Sequence, residues 1–119
     1  MISLKEKLSA ALYGACDAVV FGYPRDFTAL PLICWRESNN RRYAQADGEE
    51  HLAELEYSID CFAPSPEEAS ALHAAADERM RALGLRREAL ADVFEQNSAV
   101  YHISARYRAL ADGAGNIYQ

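Results

Sequence analysis

Three side-chain types in this sequence could do chemistry: histidine, carboxylate and thiol. The histidines are His51, His73 and His102. A metal site needs further His, Cys or Asp at coordinating spacing, and none of the three has them. A general base needs a neighbour that orients its ring. Nothing in the sequence supplies one, so His102, beside Arg106 on a polar strand face, is expected to be solvated. Glu54, Glu56 and Asp60 alternate within "LAELEYSIDCFA" and share one face of a strand. A hydrolytic pair needs two environments that separate two pKa values. Three acids on one wet face point instead to solubility or to a partner surface. Cys16, Cys34 and Cys61 are odd in number, widely spaced and without a CxxC, which reads as free thiols in a reducing compartment. G-x-S-x-G, Walker A and G-x-G-x-x-G patterns are all missing, and the G-x-G of "DGAGN" is a turn. No catalytic residue, metal site or cofactor is expected.

The chain has 119 residues, enough for one domain over 1–119 and too few for two ordinary ones. Half the residues are hydrophobic and a quarter are charged, a globular composition. The net charge of −6 argues against a whole-surface nucleic-acid binder, which needs clustered Lys and Arg. No apolar run approaches the ~20 residues of a membrane span. "MISLKEKLSAALYGAC" has helical spacing and an acid, unlike a signal peptide. A soluble cytoplasmic protein without membrane partners is expected.

The elements that would carry these residues follow from periodicity. Ser3 and Glu6 fit a capping box that opens a helix over about 3–15. "AVVFG", 18–22, is short and β-prone. Pro24 and Pro31 push the residues before them out of the α region, and Pro31 suits the start of a strand, "LICWRES". The first half of that strand is apolar on both faces. "LAELEYSIDCFA" alternates, with Ala53, Leu55, Tyr57, Ile59 and Cys61 on the buried face. "SPEEASALHAAADERMRALGL" is a helix with Ser65 as N-cap, Pro66 at N1 and Gly84 closing it. "REALADVFEQ" and "SAVYHISARYRALAD" are strands, the latter turning Ala99, Tyr101, Ile103, Ala105 and Tyr107 to one side. "IYQ" is a short returning strand. The order is α-β-β-β-α-β-β. The fold class is α+β: a mostly antiparallel sheet of four to five strands with two helices on its apolar face. Leu12, Leu32, Leu55, Tyr57, Ile59, Leu72, Met80, Tyr101 and Ile103 are expected in the core.

"NNRRYAQADGEE" has no apolar period and is expected to be a long polar loop or hairpin tip, mobile until it meets a partner. Its candidate partner-binding residues are Asn39, Asn40, Arg41, Arg42, Tyr43, Gln45, Asp47, Glu49 and Glu50; Arg and Tyr are favoured interface anchors. Glu54, Glu56 and Asp60, with Arg106 and Arg108 on the polar face of another strand, are candidates for a subunit interface or a lumen wall.

"FGYPRDFTALPLICWRESNN", "EYSIDCFAPSPEEASALHAAADERMRALGLRRE" and "YHISARYRALADGAGNIYQ", in that order and spacing, resemble the small tail-completion or tail-terminator proteins of long-tailed bacteriophages and prophages. The resemblance carries no catalytic motif. It implies a homohexameric ring on the end of the tail tube that stops polymerisation and joins tail to head. The implied partners are further copies of the chain, the tail-tube protein and the head connector, with DNA only as the passing genome. The implied location is the bacterial host cytoplasm during assembly, then the virion tail. Another neck or minor capsid protein, or a prophage-encoded regulatory protein, is the alternative.

Overall fold

The computed structural model describes the backbone of residues 1–46 and 49–118, and the side chains of all of these except 44–46 and 49–50. The chain runs α1 (Lys5–Tyr13), β1 (Ala18–Phe21), β2 (Leu32–Ala46), β3 (Glu49–Ala63), α2 (Pro66–Leu83), β4 (Arg86–Val93), β5 (Tyr101–Ala111) and β6 (Ile117–Tyr118). The expected α+β order is observed. The sheet has six strands because the terminal "IY" does return, pairing with Leu110 and Ala111. The other strands lie in the order β1-β2-β3-β5-β4, antiparallel except for the parallel β1–β2 pair.

Helix α2 forms where its signals stand. Ser65 is extended at the N-cap, its Oγ accepting from the Glu68 amide at 3.2 Å, and Pro66 occupies the first turn. Gly84 closes the helix at φ +99°, a left-handed conformation that costs a side chain-bearing residue energy. Replacing Ser65 with Ala is expected to cost about 1 kcal/mol in chemical denaturation.

Helix α1 is shorter than its expected span, and the capping box is not made. Leu4 stands at the N-cap with no side-chain cap. Ser3 Oγ donates instead to Glu37 Oε1 at 3.3 Å, and the Leu4 amide donates to Tyr57 Oη at 2.9 Å. Ser3 Oγ still accepts locally, from the Lys5 amide at 3.3 Å, but the reciprocal bond to Glu6 is replaced by these contacts to the sheet.

Parity along β3 sets the two faces. Ala53, Leu55, Tyr57, Ile59 and Cys61 lie under both helices, packed against Leu8, Leu12, Leu72, Ala76 and Met80. Their partners Ala105, Tyr107, Ala109 and Ala111 continue the same layer across β5. Of the expected core, only Tyr101 fails, at 40% exposed. It is the first residue of β5, opposite the last residue of β3, and it lines an open cavity between the start of α2 and the 94–100 connection. The second face is also partly covered. Leu32, Cys34, Phe62 and Val100 form a separate buried cluster, with Phe27 and Leu30 of the 22–31 segment against them. The two prolines therefore shape a flap over this face.

Candidate assembly surface

The 39–50 stretch is not a loop where the structure describes it. β2 and β3 are fifteen residues each, and their pairing continues to Ala46 opposite Glu49. Asn39, Asn40, Arg41 and Arg42 pair with Glu56, Leu55, Glu54 and Ala53, inside the body of the sheet. β5 ends at Ala111, level with Ala53. Beyond that level β2 and β3 pair only with each other, so 43–46 and 49–52 project as a two-stranded arm from a molecule 53 Å long. Of the three register shifts that interrupt β2, those at Arg42/Ala44 and Ala44/Gln45 fall here and disturb the alternation that marks a strand. Tyr43 is exposed on the arm. Asp47 lies outside the described residues, as do the side chains of Gln45, Glu49 and Glu50. Asn40 turns inward, its amide donating to Ile2 O at 2.8 Å.

At the base of the arm, opposite charges meet on the face away from the helices. Arg108 donates to Glu54 Oε2 at 2.8 Å, and Arg41 to Glu54 Oε1 at 2.9 Å. Arg106 lies 4.0 Å from Glu56. Hydrogen bonding from Arg108 holds the Glu54 carboxyl below the usual carboxylate range against a small opposing effect of burial, and Arg41 adds to it. The acids and arginines singled out in the sequence thus come together on one sheet face, within one chain.

Asp60 is set apart from that group by His102, which overturns the expectation of a solvated histidine. His102 is only 7% exposed and stacks on Phe62 at 4.1 Å. Its Nε2 lies 2.6 Å from Asp60 Oδ1 and its Nδ1 lies 2.8 Å from Glu95 Oε1. An ionised carboxylate only accepts, so with both acids ionised each ring nitrogen donates, an arrangement that favours the imidazolium. Burial alone would lower its pKa; the hydrogen bonds and charges of the two carboxylates outweigh burial and raise it. The result is a clamp that ties the 94–100 connection to β3. Glu95 was not singled out by sequence reasoning. The usable signal was Phe62, a large apolar residue at the parity of the acids, together with Leu32 and Cys34, which require a cover on that side.

The two buried tyrosines and two of the thiols serve the core. Tyr57 Oη donates to Glu37 Oε1 at 2.8 Å, and Tyr107 Oη donates to Asp77. Burial pushes the Cys34 and Cys61 thiols up to about 12, which leaves them protonated and poor nucleophiles. Both ring nitrogens of His102 are engaged by carboxylates. Among the described residues, no group of three or more His, Cys, Asp or Glu could hold a metal ion, and no helix is long and apolar enough to cross a membrane.

With this geometry in view, similarity to known proteins gives the chain its context. No curated protein matches the sequence. A chain in the solved virion of a native gene transfer agent particle shares the fold, with a TM-score of 0.63 at 16% identity, over 95% of this chain and 100% of that one. The sequence profile described as "Tail completion protein gp17" matches residues 4–112, from the N-cap of α1 to the end of β5. The chain belongs to the tail completion protein gp17 family, and it is a structural protein of a phage tail.

Proposed function

We propose that this chain assembles as a hexameric ring on the head-proximal end of the tail tube, stops tube growth and joins the tail to the head connector. The observation that carries this reading is family membership over nearly the whole chain, on a subunit that offers surfaces rather than a reactive centre. The protein acts by assembly and not as an enzyme, as a single tail-terminator-like domain. Its partners are its own copies, the tube protein and the connector; DNA only passes through. Assembly takes place in the bacterial host cytoplasm, and the finished protein resides in the virion tail.

The arm is the part that reaches a partner, with Tyr43 as its described anchor. Replacing residues 43–52 by an Asn-Gly turn between Arg42 and Ala53 is expected to keep the fold, because the arm pairs only with itself, and to block tail joining. Tails that still attach to heads in complementation would reduce the arm to a solvated extension.

The face carrying Glu54, Glu56, Asp60, Arg106 and Arg108 lines the lumen. Its charges are largely matched within the chain, so it needs no partner subunit and holds passing phosphates weakly. Arg108→Glu sets a like charge against Glu54 and is expected to lose about 1 kcal/mol of subunit stability, with ring mass unchanged. A lost ring with unchanged subunit stability would move this face to the subunit contact.

A further inference from the structure

The two outer strands of the sheet present open edges, and each carries exposed apolar side chains. β4 is exposed along all eight residues, Arg86–Val93. It carries Leu90 and Val93 and runs into Phe94, which is 88% exposed. At the opposite side of the sheet, β1 exposes Val20 and Phe21, followed by Tyr23. Among the described residues, no strand pairs with the outer edge of either. An open edge with exposed apolar side chains can pair with another chain; here β1 is only four residues long and charge is concentrated at the Arg86–Glu88 end of β4, which leaves the Leu90–Val93 end as the place where pairing can occur.

The register shows what fits. Following the pairings across the sheet, Ala18 stands level with Leu32, Phe62, His102 and Val93, and Phe21 with Trp35, Ile59, Ala105 and Leu90. All of β1 is thus level with Leu90–Val93 of β4, where Asp92 is the single charged residue, and Phe21 and Leu90 share the helix-side parity. The charged half, Arg86 to Glu88, lies beyond the reach of β1. Strand sense agrees. β1 runs with β2, and β4 runs with β3, so the two edges run in opposite directions. A rotation about an axis near the strand direction preserves sense, so β4 of one copy meets β1 of the next as an antiparallel pair.

We infer that the β4 edge of one copy binds the β1 edge of a second copy, extending the sheet from subunit to subunit. The contact is heterologous: one surface meets a different one, which closes into a ring when the rotation is right. It rests on the ring reading and gives that reading its interface. It also keeps all helices on one wall and the charged sheet face on the other.

The test uses Leu90→Cys and Phe21→Cys as separate full-length variants, each with Cys16→Ser, expressed alone and together and then oxidised. A disulfide-linked dimer is expected only on co-expression, and a chain carrying both substitutions should give a ladder ending in a closed species. Dimers from Leu90→Cys alone would show like edges meeting and overturn the inference. No bond in a sample whose light-scattering mass shows a ring would overturn the edge contact and leave the ring standing. No bond and no oligomer, in solution or on isolated tails, would overturn both. As a second measure, Leu90→Lys with Val93→Lys should lose the oligomer while circular dichroism of the subunit is unchanged, since both side chains are exposed. An oligomer that survives this pair contradicts the contact.

Discussion

Replacing Ile59 with Ala is expected to lower subunit stability by about 2–5 kcal/mol, the range for truncating a fully buried branched side chain. Ile59 has no exposed surface and sits in the central strand, between Trp35 and Ala105. It belongs to the main buried cluster, which includes residues of both helices and of β2, β3 and β5. Little can collapse into the space left behind, because the neighbouring positions are held by sheet register on both sides. The change is read from the midpoint of urea denaturation at constant slope. A loss below about 0.5 kcal/mol would mean that the side chain does not occupy the core position described.

The second large effect is at His102. His102→Leu leaves Asp60 and Glu95 facing an apolar side chain, with side-chain exposures of only 19% and 15% in the native fold. Removing one partner of a buried charge cluster costs about 3 kcal/mol, because the carboxylates lose their counter-charge and two hydrogen bonds. The same clamp sets a pH dependence. The folded-state pKa of His102 lies above its ordinary 6.5, so its contribution is fully present below pH 6.5 and is lost as pH rises through the raised value. The charged or titratable groups facing the clamp are Asp60 on β3, Glu95 on the connection, Cys34 on β2 and Tyr23 on the flap. Burial, then the nearby Glu95 and Asp60 charges, raises Tyr23 above 10, and burial moves Cys34 to about 12, so neither titrates in the same window. Melting temperature should therefore fall above pH 6.5 in the native chain, and that limb should be missing in His102→Leu. A limb of equal size in both would assign it to another group.

Most of the fold was legible because its signals are local. The Ser65, Pro66 and Gly84 punctuation fixed α2 to within a residue, and parity from Ala53 to Cys61 identified the buried face of β3. Legibility stopped where a distant segment decided the outcome. Parity placed His102 with the wet residues, yet the 22–31 flap and the 94–100 connection cover that end of the face, and irregular segments carry no period that announces where they will lie. The arm was missed for a different reason. Its strands pair beyond the level at which β5 ends, and register shifts at Arg42/Ala44 and Ala44/Gln45 break the alternation that reveals a strand. Ser3 and Glu6 match a capping pattern, but Ser3 Oγ bridges from the Lys5 amide to Glu37, far along the chain, and Tyr57 holds the Leu4 amide. The arginines and acids around Glu54 were found from alternation in two strands. Only the antiparallel register of β3 and β5, with Arg41 arriving from β2, showed that they satisfy one another within a subunit.

The proposed assembly is a closed ring of this chain at the head-proximal end of the tail. Electron microscopy of particles, with the chain located in the reconstructed density, tests it most directly. The predicted result is a six-fold ring between tube and connector, with sheets continuous around it and the arms directed at a neighbouring component. Density for this chain elsewhere in the particle, or single copies that do not close around the tail axis, would contradict it.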